Sequence, residues 1–408
     1  MSIDFTLPPD VEEVRQRVRA FMEKEVRPVE ESLRQNEGDR NAYVRAILEL
    51  RQKARTEGLW NPHLPPEWGG MGLGPVAMAF VSAEAGRTGI GPYIINAQAP
   101  DEGNMHTLLY WGTPEQKERY LRPLAEGRAR SFFAMTEPEV AGSDPTLIQT
   151  TAVEDGDEWV INGHKWFSSG ARGASFGIVI ACTDPGADPP QARNSAFIVE
   201  VPTEGFEIVR DVETISGFGN HPELRFTDVR VPRDRMLGGR GEGHRLGQYR
   251  LGPARLAHCM RWIGQAEVAL EMMVDRALKR YAHGSYLAEK QAIQWMMAES
   301  ALELYTGKLM ILHAAYKIEN GLPFRQEVAM AKVHVANTLW RIIDRAIQVH
   351  GALGISTDTP LERMLRGARY ARLADGADEV HLQTIARNVI EAFQTTGNTR
   401  AATGDLLL

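Results

Sequence analysis

The sequence predicts a mainly α-helical protein with a central β domain, and three observations predict it. Apolar residues recur at helical spacing from residue 10 to about 130, and again after about residue 245. Between these regions lie short runs rich in β-branched and aromatic residues, punctuated by glycine and proline. The length, 408 residues, exceeds what one compact core fills, so two or three domains are expected. The changes of pattern divide the chain into a helical region 1–131, a β region 132–240, a helical region 241–395 and a short polar tail 396–408.

Pro8-Pro9-Asp10 reads as a helix start, with Val11, Val14, Val18, Phe21 and Val26 on one face. "NPHLPPEWGGMGLGP" (Asn61 to Pro75) reads as a loop, and helical spacing resumes at Val76. "EWVINGHKWFSS" predicts two strands joined by a hairpin turn at Asn162-Gly163. "GIVIACT", "SAFIVEVP", "FEIVR" and "LRFTDVRVP" follow as further strands. Long helices are expected over Leu246–Lys279, Ala288–Asn320 and Glu327–His350, with a last one from about Asp378.

Composition narrows the function. A net charge of −7 with mixed signs lacks the basic face of a nucleic-acid binder. No apolar run reaches the ~18 residues of a membrane span, and the N-terminus lacks the basic and apolar regions of a secretory signal. Cys182 and Cys259 lie far apart and read as buried thiols, so a cytoplasmic location is expected. There is no His-Glu-x-x-His or Cys-x-x-Cys, and no metal site is expected. "GGRGEGH" (Gly238 to His244) follows a strand and opens a helix, yet His244 stands where a dinucleotide fingerprint needs its third glycine.

Two stretches carry chemistry in combination. "FFAMTEPEVAGSD" (Phe132 to Asp144) reads as a loop entering the β region with hydroxyls and many backbone N–H groups. "INGHKWFSSG" sets Trp166 beside Ser168 and Ser169. A flavin needs an aromatic face for its ring system, donors at the N5 and O4 edge, and amides or hydroxyls for its pyrophosphate. Taken singly, Trp166 reads as core, the serines as edge-strand polar residues and Glu137-Pro138 as a turn.

Together these stretches resemble the acyl-CoA dehydrogenase family over nearly the whole chain. The family's Thr-Glu-Pro-(x)-Ala-Gly-Ser-Asp loop matches Thr136 to Asp144, with Glu139 and Val140 between proline and alanine, its Gly-x-Lys-x-(Trp/Phe)-x-(Ser/Thr) strand matches Gly163 to Ser169, and its Gln-x-x-Gly segment matches Gln348 to Gly351. "NAQAPDEGNM", "RLGPARLAHCMR" and "LADGADEVH" resemble the subgroup that animals carry fused to a kinase-like domain, and the 408 residues resemble its dehydrogenase module alone. The resemblance implies two helical domains around an antiparallel β domain, with FAD as cofactor. Phe133, Met135, Thr136, Trp166, Ser168 and Ser169 would contact the flavin, and Ser143 its pyrophosphate or the thioester. Arg280, His283, Gln291, Gln348 and Gly351 would serve the adenosine half of a neighbouring subunit's cofactor, so a homodimer or homotetramer is implied. His283 replaces the family's phenylalanine before Gly284. Ala377, Asp378 and Glu379 would also face the cofactor, and Tyr249, Leu251, Gly252, Arg255 and Gly376 the acyl-CoA substrate.

"ARLADGADEVHLQT" (Ala371 to Thr384) gathers Asp375, Asp378 and Glu379 around a glycine. One reading is architectural: Asp375 caps a helix and Asp378 completes a capping box. The resemblance supplies the other, placing the catalytic carboxylate on Asp375, where the family's usual residue is glutamate. Aspartate is shorter by roughly 1.5 Å, about one C–C bond. The rival position for a base, next to Arg255, is Ala254. The implied reaction is α,β-dehydrogenation of a fatty acyl-CoA, as in β-oxidation. The α-proton goes to Asp375 and hydride to flavin N5, giving a trans-2-enoyl-CoA, with electrons passed to an electron-transfer flavoprotein. The Asp375 N–H and a ribityl hydroxyl are the expected stabilisers of the enolate oxygen. Three alternatives use the same scaffold: a flavin oxidase, a hydroxyacyl-CoA lyase, or a non-catalytic flavin- or acyl-CoA-binding protein. Leu382 stands where nitroalkane oxidases carry an arginine seven residues after the aspartate, which counts against the oxidase.

Overall fold

The structure, a computed structural model, describes residues 6–35 and 39–403. In chain order the main helices are α1 (Pro9–Phe21), α2 (Arg40–Thr56), α3 (Pro75–Gly86), α4 (Asp101–Trp111), α5 (Gly243–Lys279), α6 (Gln291–Glu319), α7 (Arg325–His350), α8 (Leu361–Ala371) and α9 (Asp378–Thr396). The strands that share one sheet are β1 (Ser131–Ala134), β2 (Thr151–Asp155), β3 (Glu158–Lys165), β4 (Phe176–Cys182), β5 (Asn194–Glu200), β6 (Phe206–Thr214), β7 (Gly217–Pro232) and β8 (Met236–Leu237). Compactness groups the chain into two units that do not follow these changes of pattern. One comprises residues 1–65, 71–97 and 255–408; the other comprises 66–70 and 98–254.

The first unit is helical. α1 starts with Pro9 in its first turn, where a proline's missing N–H costs nothing, and buries Val11, Val18 and Phe21. Val18 and Phe21 join Ile47 and Leu50 of α2, Val81 and Ala85 of α3, and Trp262, Ile263 and Ala266 of α5 in one core. The same core takes Ile311 and Ala314 from α6 and Val335, Leu339 and Ile343 from α7. Residues Arg400–Thr403, expected as tail, form a short helix; Ala402 is buried and its carbonyl accepts from the Gln326 side chain.

The second unit is built on the sheet, in the order β6-β7-β3-β2-β4-β5-β8, with β1 beside β4. Most pairings are antiparallel, but β1 and β2 each run parallel to β4. Phe132, Trp159, Ile161, Phe197, Leu224 and Phe226 pack its core. Residues 132–134, expected as loop, belong to strand β1.

One expected turn is absent. Asn162-Gly163 lies inside β3, which is continuous, and the chain reverses instead at Gly156 between β2 and β3. Gly163 serves packing: a Cβ there would stand 2.3 Å from Thr150 Oγ1, so only glycine lets the two segments approach. The pairing of β3 with β7 shifts register at this point.

Among the described residues no helix is long and apolar enough to cross a membrane. Cys182 and Cys259 are buried free thiols.

Candidate active site

The alternation of β3 points Trp159, Ile161 and Lys165 inward. A fully buried ammonium needs a partner, and Lys165 finds two: Nζ donates to Met135 O at 2.9 Å and to Glu137 Oε1 at 2.8 Å. The Glu137 carboxylate also accepts from the Gln149 and Thr150 backbone N–H groups at 2.7 and 2.9 Å. Burial raises the Glu137 pKa, but the Lys165 charge and these donors outweigh it and hold it below the usual carboxylate value. Burial pulls Lys165 down to about 8 despite Glu137. The pair thus clamps the Met135–Glu137 segment against the end of β3.

That clamp joins the two stretches singled out from the sequence. Trp166 N–H donates to Thr136 O at 3.1 Å, and Thr136 Oγ1 donates back to Trp166 O at 3.0 Å. Phe133, Met135, Thr136 and Trp166 are each half-buried, and Ser143 is exposed. Phe167 has φ +49°, an unfavourable left-handed conformation for a bulky residue, and it sets Trp166 and Ser168 on either side of a sharp turn. Ser168 Oγ is buried without a hydrogen-bond partner among the described residues. Orphaned hydroxyls are rare, and this one fits a donor awaiting a ligand atom. Ser169 is engaged elsewhere, its Oγ 2.7 Å from His221 Nδ1. In the same unit Tyr249 stacks on Tyr110 with centroids 4.3 Å apart, and Leu251 and Gly252 are buried.

The carboxylate loop belongs to the helical unit. α9 begins at Asp378 with Ala377 as its N-cap, and no side chain caps it. The architectural reading of Asp375 therefore fails: Asp375 lies outside the helix with φ +54°, followed by Gly376 at φ +105°. Asp tolerates this region better than most residues, and such outliers concentrate at functional sites. Three groups hold the turn. Arg255 Nε donates to Asp375 O at 2.6 Å, Lys332 Nζ donates to Gly376 O at 2.8 Å, and His381 backs the glycine so closely that a Cβ would lie 2.8 Å from its Nε2. The Asp375 side chain, one-quarter exposed, reaches His258 Nε2 through Oδ2 at 3.2 Å.

Burial lowers the Lys332 pKa against the opposing pull of Asp378, Cys259 and Asp375. It also lowers Arg255, though Asp375 raises it. His381 falls to about 4, through burial first and then the nearby Arg255 and Lys332 charges. Asp378, expected to face a cofactor, has its carboxylate engaged inside the unit. It accepts from Arg372 Nε at 2.8 Å and Asn337 Nδ2 at 2.9 Å, and lies 3.8 Å from Lys332. Ala377 is half-buried and Glu379 exposed. Arg280, His283, Gln291, Gln348 and Gly351 are all exposed on this unit, with His283 at φ +50° and Gly351 at φ +66°.

His258, Lys332 and His381 were not singled out from the sequence. The one local signal was spacing: His258 lies three residues after Arg255, on the same face of a helix. Lys332 and His381 come from other helices and carry no such mark.

Three family models match the chain: the acyl-CoA dehydrogenase N-terminal domain over residues 8–128, its middle domain over 132–229 and its C-terminal domain over 241–390. The chain is 40% identical over 391 residues to acyl-CoA dehydrogenase family member 11 of Gallus gallus, covering 92% of this chain and 50% of that protein. It is 39% identical over 404 residues to the probable acyl-CoA dehydrogenase FadE2 of Mycobacterium tuberculosis, covering 97% and 98%. A putative acyl-CoA dehydrogenase from Mycobacterium abscessus has a similar structure, with a TM-score of 0.90 and 38% identity over 96% of this chain and 100% of that one. The chain spans about half the length of the member 11 proteins it matches.

Proposed function

The chain belongs to the acyl-CoA dehydrogenase family, and from that premise we propose that it is an FAD-dependent dehydrogenase of fatty acyl-CoA thioesters, with Asp375 as the base. The observation that carries the reading is the Asp375 turn: a part-exposed carboxylate on a strained backbone, anchored by two cations that bind the Asp375 and Gly376 carbonyls and with its Oδ2 3.2 Å from His258.

The chain's own groups fit the flavin. Ser168 offers an unused buried hydroxyl, Trp166 an aromatic face fixed by the Thr136 backbone, and Phe133 and Met135 apolar flanks. When bound, FAD supplies an acceptor for the electron pair leaving the substrate β-carbon. Asp375 removes the α-proton and holds it on a carboxylate oxygen, and the Asp375 N–H stabilises the charge that develops on the thioester oxygen. Arg255 and Lys332 keep the turn in place while the side chain gains and loses its proton. Trp262, buried and stacked on the His258 ring, keeps water from the wall behind it. The product is a trans-2-enoyl-CoA, and an electron-transfer flavoprotein reoxidises the enzyme. A homo-oligomer completes the cofactor site, with Arg280 and Gln348 reaching a neighbouring subunit's FAD.

The test is the visible spectrum of the purified protein. A yellow protein that bleaches anaerobically with one of a panel of acyl-CoA thioesters, and recovers with an artificial acceptor, supports the reading. Rapid reoxidation by air would indicate an oxidase, and a flavin that no thioester bleaches would contradict dehydrogenation.

A further inference from the structure

The Asp375 carboxylate does not stand alone. Its Oδ2 lies 3.2 Å from His258 Nε2, and the other ring nitrogen of His258, Nδ1, lies 3.3 Å from Arg261 Nη2. A guanidinium has only donors, so Nδ1 accepts and the ring proton sits on Nε2, the nitrogen 3.2 Å from the carboxylate oxygen. Arg261 is itself fixed: it is buried, and Nη1 donates to Ala97 O at 3.1 Å. The imidazole also stacks on the buried Trp262, with centroids 5.3 Å apart and planes 22° from parallel. Arg255, His258 and Trp262 occupy successive turns on one face of α5, so one helix both anchors the Asp375 carbonyl and orients its side chain.

We propose that His258 is a positioning residue for the base: a neutral Nε2–H donor, its tautomer set by Arg261, that holds Asp375 Oδ2 and turns Oδ1 toward the substrate. The inference rests on the reading of Asp375 as the base. It also gives a physical reason why a side chain one methylene shorter than glutamate can serve, since a fixed donor replaces the adaptability of the longer one. A donor to the ionised form favours it, so losing the donor raises the pH at which the carboxylate becomes protonated.

The other ionisable groups facing Asp375 keep their charge near neutral pH. Cys259, on the same helix, is pushed up to about 12 by burial. Tyr370 on α8 is raised by burial, and His381 on α9 stays neutral above about 4. Arg255 and Lys332 are spent on the Asp375 and Gly376 carbonyls, and Asp378 on Arg372 and Asn337. With these groups fixed, the acid limb of the rate profile reports the Asp375–His258 pair.

The test uses FAD-loaded enzyme and two substitutions. His258→Leu removes the donor; His258→Gln carries an amide N–H at about the reach of Nε2. The Leu variant should reduce its flavin about ten- to a hundredfold more slowly, with the acid limb of kcat/KM moved to higher pH, while Gln restores both in large part. The second readout needs neither cofactor nor substrate. In 15N-histidine-labelled protein, His258 should appear as the Nε2–H tautomer, its Nε2 signal should move in Asp375→Asn, and its tautomer should lose definition in Arg261→Met. An Nδ1–H tautomer, or a Leu variant with an unmoved acid limb, overturns the proposal. If Asp375→Asn shifts the His258 signal yet still reduces flavin, the hydrogen bond stands but the base lies elsewhere. That result separates failure of the base reading from failure of the pairing.

Discussion

Glu137→Gln removes the charge that neutralises Lys165 and turns one of two accepting oxygens into an NH2 group that faces a donor. Both side chains are essentially inaccessible, at 0% for Lys165 and 1% for Glu137, so water cannot replace the lost partner. Breaking a buried pair from one side typically costs about 3–5 kcal/mol, because the survivor remains charged and desolvated. For a unit of this size each kcal/mol lowers the melting temperature by about 2–4 °C, so calorimetry should find a fall of roughly 6–20 °C. Replacing both residues, Glu137→Gln with Lys165→Met, leaves no lone charge and should recover much of the loss. The double-mutant cycle then measures a coupling of roughly 2 kcal/mol or more. The pH dependence has a definite sign. Lys165 sits at about 8 against an ordinary 10.5, and falls further without Glu137. Between those values the unfolded chain binds more protons than the folded one, so stability rises with pH, and the single variant should be rescued in alkali. Because the pair clamps the Met135–Glu137 segment, the same variant should also bind FAD more weakly. A Glu137→Gln protein less than about 1 kcal/mol below wild type would refute the closed, dry pair.

The remaining predictions concern other parts of the fold. His381, held near 4 against an ordinary 6.5, is protonated more in the unfolded chain across that window. Stability should therefore fall as pH drops from 6.5 toward 4, and His381→Phe should flatten that part of the acid denaturation curve. Gly163→Ala places a Cβ 2.3 Å from Thr150 Oγ1 inside β3. It should cost about 1–3 kcal/mol in urea denaturation, and an unchanged midpoint would show that β3 and the Thr150 segment do not approach so closely. Arg280→Ala should lower FAD occupancy and make it depend more steeply on protein concentration in sedimentation, if the residue serves a neighbouring subunit; occupancy unchanged at low concentration would remove that role.

What was legible in the sequence was periodic or local. Helices α5, α6, α7 and α9 declared themselves by spacing, and their ends fell within a few residues of those expected, whereas α8 was not foreseen. β3 and β7 were visible in their alternation. The Asn-Gly pair in β3 misled because its glycine answers a clash with Thr150, a residue on another segment, and not the needs of a turn. The start of α9 misled in a similar way. Three acids before an apolar stripe resemble a capping box, but Ala377 takes the N-cap position and Asp375 is turned out into the left-handed region. Asp378 is drawn inward by Arg372, Asn337 and Lys332, which no local pattern around Asp375 reveals. The same holds for His258, whose partner lies 117 residues further along the chain. Lys165 and Glu137 stood in the two motifs read as flavin contacts. Their mutual burial, which gives those motifs their shape, appears only once β3 is folded.

The central claim is that Asp375 takes the α-proton, and exchange of that proton with solvent in Asp375→Asn tests it most directly. Asparagine tolerates the left-handed conformation at least as well as aspartate, and Ala377, not residue 375, occupies the N-cap of α9. The variant should therefore keep its melting temperature and its bound FAD. Incubated with an acyl-CoA in deuterated buffer, wild type should exchange the α-proton and bleach its flavin anaerobically. The Asn variant should lose both by several orders of magnitude, and Asp375→Glu should retain part. An Asn variant that folds, binds FAD and still exchanges the proton at a comparable rate would contradict the account.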